Sequence, residues 1–124
     1  MNGFDFTIGK TQSPYVAWLS SGLSFNGRCL ELLRYPKRVY VGIDRAGKRM
    51  AIKAADEESG EGVYNFAAVG KKKNRAMISS VTLRGELRRL LNRRPPAGGI
   101  RFPAVFDEAE NLLIVDLNGI YKSR

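Results

Sequence analysis

The sequence predicts an α+β fold, a compact β-rich barrel or sheet of antiparallel hairpins carrying two helices. Three observations lead there. Arg38 to Asp44 alternates polar and apolar side chains with Val39, Val41 and Ile43 on one face, and Met50, Ile52 and Ala54 resume the period after the turn Arg45-Ala46-Gly47-Lys48. That is a hairpin with one apolar face. Helical spacing follows two capping residues, Asn26 and Ser80. Finally, the order short strand, capped helix, strand, turn, strand occurs twice, which suggests tandem strand-helix-hairpin repeats over about 16–55 and 76–117. A chain of 124 residues buries roughly two-thirds of its unfolded surface, enough for one domain over 1–124 without metal or disulfide.

In chain order, a half-buried extended segment starts at Val16, and Ser20-Ser21-Gly22 breaks it before Leu23-Ser24-Phe25. Asn26 caps a short helix whose apolar face is Cys29, Leu30, Leu32 and Leu33, and Tyr35-Pro36 ends it because proline pushes its predecessor away from helical angles. The hairpin 38–54 follows. An acidic connector at 56–62, a strand at 63–69 and a basic loop at 70–75 then join the halves. Met77-Ile78 is extended, and Ser80 caps the strongest helix, which runs to about Asn92 with Leu83, Leu87, Leu90 and Leu91 as its buried stripe. Arg84 and Arg88 form a like-charge pair on the opposite face, costing a few tenths of a kcal/mol; Glu86 can offset Arg89. Arg93-Arg94-Pro95-Pro96 stops this helix, and Gly98-Gly99 releases the chain into Ile100 to Phe106, a turn at Asp107 to Asn111, and a last strand from Leu112 to Leu117.

Composition narrows the function classes. The chain carries 21 Lys+Arg against 12 Asp+Glu, a net charge of +9, with no histidine and one cysteine. The usual general base near neutral pH is therefore missing, along with the His-activated nucleophiles. Neither a Cys/His zinc site nor an intramolecular disulfide can be built from Cys29 alone, which is read as a small apolar residue on a packed face. Asp44…Lys53 has the outline of a nuclease hairpin, but Ala51 stands where that chemistry needs an acid, and Asp44 and Asp107 are read as turn initiators. The chain is accordingly read as a non-enzyme with no cofactor. It has no charged leader followed by an apolar run and no stretch of about 18 apolar residues, so the expectation is a cytoplasmic protein without a membrane partner.

The charge is patterned. Residues 28–53 hold eight bases against Glu31 and Asp44, residues 54–70 hold four acids and no base, and residues 71–94 hold nine bases against Glu86. Clustering of Lys71, Lys72, Lys73 and Arg75 without nearby acids is tolerated chiefly where a polyanion neutralises it. The candidate binding residues are these four, Arg84, Arg88, Arg89, Arg93 and Arg94 on and after the second helix, and Lys37, Arg38, Lys48 and Arg49 in the first block. Such side chains supply phosphate contacts, and arginines on a helix can present guanidinium forks to base edges. Trp18, Tyr35, Tyr40 and Tyr64 could stack on unpaired bases, but aromatics in strands are more often core. The expected function is a small basic nucleic-acid-binding protein, a DNA-binding regulator gripping mainly the phosphate backbone. The partner is DNA or RNA, or else a nucleic-acid-binding protein complex, with a homodimer left open. The alternative is a phage or mobile-element interaction protein that docks on a nucleoprotein, such as an inhibitor of an RNA-guided nuclease.

Leu-Ser-Phe-Asn-Gly-Arg-Cys-Leu-Glu-Leu-Leu at 23–33, followed by the hairpin at 38–55, resembles the swapped-hairpin domain of the AbrB/MazE type. The resemblance implies a short strand, brief helix and hairpin in two interlocking units, and a leaning toward DNA-binding regulators or antitoxins. This chain departs from that pattern. The family's proline at the helix start is Asn26, its closing Leu-Gly is Leu33-Arg34, and basic positions within the helix are Leu30 and Glu31. The resemblance therefore implies a fold without carrying over DNA-contact residues.

Overall fold

The structure, a computed structural model, describes residues 13–55, 62–69 and 75–121. Among them, β1 (Tyr15–Leu19) and β2 (Gly22–Phe25) lead to α1 (Gly27–Leu33), followed by the hairpin of β3 (Arg38–Asp44) and β4 (Arg49–Ala54). Then come β5 (Val63–Asn65), β6 (Ala67–Val69), β7 (Arg75–Ile78), α2 (Val81–Leu91), β8 (Ile100–Asp107) and β9 (Leu112–Asp116). The α+β class and the strand-rich character agree with the sequence. Lys71, Lys72 and Lys73 of the expected basic loop, and most of the expected acidic connector, lie outside the described residues.

Every strand pairing is antiparallel, in the order β5-β3-β4-β9-β8-β1-β2-β7-β6. The two ends of that order, β5 and β6, are separated in the chain by Phe66 alone. In a flat sheet of this width the end strands would lie about 38 Å apart, at about 4.8 Å per strand, whereas two residues of chain reach only about 7 Å. The sheet is therefore rolled into a nearly closed barrel. Phe66 closes the seam: it is buried, its N–H donates to the Lys37 carbonyl at 2.9 Å, and its ring meets Phe25 edge-on at 5.0 Å. The single strand expected over 63–69 is thus two strands. β5 pairs with β3 and β6 with β7, on the two sides of the seam that Phe66 marks.

Alternation along the strands fills the barrel. Val16 and Trp18 from β1, Met50 and Ile52 from β4, and Leu113 and Val115 from β9 are all at most 1% exposed. At about 25 cal/mol per Å2 of apolar surface removed from water, each such side chain contributes about 1.5–3 kcal/mol. Gly22, at φ 144°, sits where β2 crosses β7 so closely that a Cβ would collide with the Ile78 carbonyl oxygen.

Both expected helix caps form. The Asn26 Oδ1 accepts from the Cys29 N–H at 3.3 Å, and the Ser80 Oγ accepts from the Leu83 N–H at 3.2 Å. The first helix ends at Leu33, one residue earlier than Pro36 alone requires, because Arg34 and Tyr35 both take left-handed conformations at φ 63° and 54°. α1 packs on β2, β7 and β9. Cys29 is fully buried within it, its thiol donates to the Tyr15 carbonyl at 3.3 Å, and burial pushes its pKa up to about 12. On α2, Leu83 and Leu87 are buried and Leu90 and Leu91 half-buried. Both hairpin turns are opened by aspartates, as expected: the Asp44 Oδ1 accepts from Gly47 N–H at 3.0 Å, and the Asp107 Oδ1 from Ala109 N–H at 3.0 Å. Among the described residues no helix is long and apolar enough to cross a membrane.

Candidate nucleic-acid interface

Leu83 and Leu87 point α2 into the core, and the positions between them, Arg84, Gly85 and Glu86, are half-buried at its margin. Arg84, Gly85 and Arg88 line a groove of about 480 Å3 together with Trp18 and Leu19 at the end of β1, Ser20 of the following turn, and Arg94-Pro95. Val81, 76% exposed, adds an apolar rim. A second groove continues across the helix, lined by Gly85, Arg88, Arg89, Asn92, Arg93 and Arg94. Gly85, Arg88 and Arg94 belong to both, and no carboxylate among the described residues lines either one.

The arginines here differ in what holds them. Arg84 is half-buried; its guanidinium donates to the Ser20 carbonyl at 2.9 Å, while its Nε is buried with no hydrogen-bond partner among the described residues. The like-charge pair read from the sequence is thus relieved by an acceptor outside the helix. Glu86 lies off the grooves and takes Arg45 at 2.7 Å and Arg89 at 2.9 Å. Those two hydrogen bonds, Arg45 first, hold its carboxyl below the usual range. Arg88, Arg93 and Arg94 make no ion pair among the described residues.

The remaining candidates lie elsewhere. Lys37 and Arg38 border a separate recess with Leu30, Tyr35, Asn65 and Phe66 at the barrel seam. Lys48, at φ 51°, and Arg49 sit at the tip of the first hairpin, where Arg49 is bound to Asp44 at 2.9 Å. The Gly47 N–H and then Arg49 hold the Asp44 carboxyl below its ordinary value. Arg75 is exposed at the start of β7, paired in register with Val69. Lys71, Lys72 and Lys73 precede it outside the described residues.

The structure brings five of the thirteen candidates, Arg84, Arg88, Arg89, Arg93 and Arg94, into the two joined grooves. Sequence reasoning missed Ser20, Arg45, Val81 and Gly85. Only Gly85 had a visible signal, a glycine at an interior position of an otherwise strong helix. No family model, curated protein or solved structure matches the chain.

Proposed function

We propose that the chain is a small basic nucleic-acid-binding protein, a DNA-binding regulator that holds its target mainly by the phosphate backbone at the outer face of α2. One observation carries the reading: among the described residues, Arg84, Arg88 and Arg94 border a groove with no carboxylate in its lining, and Arg88 and Arg94 have no acidic partner. Unneutralised guanidinium groups on a fixed helix suit phosphate oxygens, which they meet as planar forks.

We also propose that the barrel is a duplicated swapped-hairpin unit of the AbrB/MazE type. Supporting this, β2 pairs with its counterpart β7 and β4 with its counterpart β9. The hairpins correspond in register, Asp44 opposite Arg49 in one and Asp107 opposite Leu112 in the other. Their loops match as well, each ending on a left-handed residue, Lys48 at φ 51° and Asn111 at φ 55°. β1, which lies between β2 and β8, has its counterpart in β5 and β6, which pair with β3 and β7.

The test is salt dependence. Affinity for a duplex oligonucleotide, read by fluorescence anisotropy, falls steeply with salt, and the triple variant Arg88→Ala, Arg93→Ala, Arg94→Ala lowers the log–log slope by about 3, near 0.9 for each phosphate that is no longer neutralised. Absence of binding to duplex or single strand at low salt rejects the reading. It would favour instead docking on a nucleoprotein, which the exposed apolar rim at Val81 also suits.

A further inference from the structure

We propose that Gly85 is the contact point at which a phosphodiester strand closes on α2, an inference that rests on the nucleic-acid reading above and gives that site its shape. Glycine is the poorest helix former after proline, yet Gly85 stands in the middle of the eleven-residue α2. Nothing inside the described chain accounts for it. Its backbone is not among the glycines with positive φ, so an L residue fits its conformation. Nor does close packing require it, because an added Cβ would meet only the tip of the Arg89 guanidinium, at 3.7 Å, an ordinary contact with the far end of a flexible side chain. Gly22 is the contrast: there, backbone from β7 fills the space a Cβ would need.

What distinguishes Gly85 is its place. It lines both grooves, so it lies on the saddle between them, together with Arg88 and Arg94, while Arg84 lines only the first groove and Arg93 only the second. A side chain here would raise a ridge between the two grooves. Without one, a narrow ligand can pass from the Arg84 side to the Arg93 side and lie against the helix. Continuity of two cationic grooves fits an extended ligand with repeated negative charge better than a single carboxylate or a free anion. Arg84 and Arg88 stand about 6 Å apart along the axis, so charges following one another on that ligand meet guanidinium groups one helical turn apart. Val81 and Pro95 provide the apolar contact that a sugar edge can use. A sugar–phosphate strand has this combination of narrow width, repeated charge and partly apolar body.

The experiment measures Gly85→Ala and Gly85→Met on the full chain, against duplex and single-stranded oligonucleotides and a poly-glutamate peptide. Gly85→Ala melts at or above the wild-type temperature because alanine favours the helix, yet it binds oligonucleotide about threefold more weakly, and Gly85→Met about tenfold more weakly. The salt slope stays at its wild-type value in both, since no cation is removed. Weakened binding of the duplex as well as the single strand assigns the saddle to duplex backbone, and weakened binding of the single strand alone assigns it to unpaired strand. Wild-type affinity in both variants, alongside a steep salt slope, overturns the role of Gly85 and leaves the nucleic-acid reading standing. Binding of poly-glutamate but of neither oligonucleotide overturns both.

Discussion

Asn26 connects three parts of the chain through one side chain. Its Oδ1 accepts from the Cys29 N–H at 3.3 Å and the Tyr15 N–H at 3.2 Å, and its amide donates to the Ser13 carbonyl at 3.0 Å. The residue is only 6% exposed, so groups deprived of these bonds are not rehydrated without cost. Asn26→Ala is expected to destabilise the fold by about 2–4 kcal/mol, combining removal of a helix cap with unpaired backbone groups at β1, as read by urea unfolding. Asn26→Asp keeps the acceptor without the amide donation, so it should fall between the two; an alanine variant within about 0.5 kcal/mol of wild type would show that the bridge to β1 carries no weight. The capping role was legible in the sequence, because an asparagine before an apolar helical stripe is a local signal. The bridge was not, because Tyr15 lies 11 residues upstream and nothing in either residue names the other. Gly85 is intermediate: its oddness is local, but the grooves that give it meaning come from Trp18 to Ser20 and from Arg94-Pro95.

At the scale of elements, Glu86 fastens α2 to the first hairpin loop. The Arg89 contact was readable from an i, i+3 spacing, whereas Arg45 comes from 41 residues away and becomes a neighbour only because the barrel rolls. Arg45 and then Arg89 lower the Glu86 pKa, so the ionised form is favoured in the folded state. The sign follows: the stabilisation is present above the ordinary carboxyl pKa of about 4.3 and disappears as pH falls through the lowered folded value. Asp44 shifts the same way, through the Gly47 N–H and Arg49, and adds to the same acid-side destabilisation. Urea midpoints should therefore decline below about pH 4.5, and Glu86→Gln should remove part of that decline while costing stability at neutral pH. An acid profile identical in Glu86→Gln and wild type would mean that the loop-to-helix contact does not contribute. The break at Phe66 has the same origin as the Arg45 contact. Val63 to Val69 reads as one strand in the sequence, whereas its first part pairs with β3 and its last part with β7, two strands far apart in the chain.

At the scale of the molecule, the strand order interleaves the two halves of the chain. The first half supplies β1 to β4 and the second supplies β5 to β9, but β4 pairs with β9, β1 with β8, β2 with β7 and β3 with β5. Neither half holds a closed set of neighbours. The interior residues are shared in the same way: Met50 and Ile52 lie in register with Val115 and Leu113, and Trp18 faces Phe102 at 6.4 Å between ring centres. Repeated strand-helix-hairpin order was visible in the sequence, because each unit is built from short-range signals. Which strand each edge would meet was not, since edge pairing depends on the other unit. A lone half would expose several strand edges and half a core, a state that small chains seldom sustain. Cutting the chain between residues 55 and 62 therefore makes a sharp test. Fragments 1–55 and 62–124, each purified alone, should show no cooperative thermal transition as monomers, and mixing them should restore a cooperative transition and the near-ultraviolet circular dichroism of the packed Trp18. If 62–124 instead self-associates into a cooperative homodimer, one copy is standing in for the other half, as a duplicated unit requires of β7 and β9. If either fragment melts cooperatively as a monomer, the interleaved barrel is not the unit of folding.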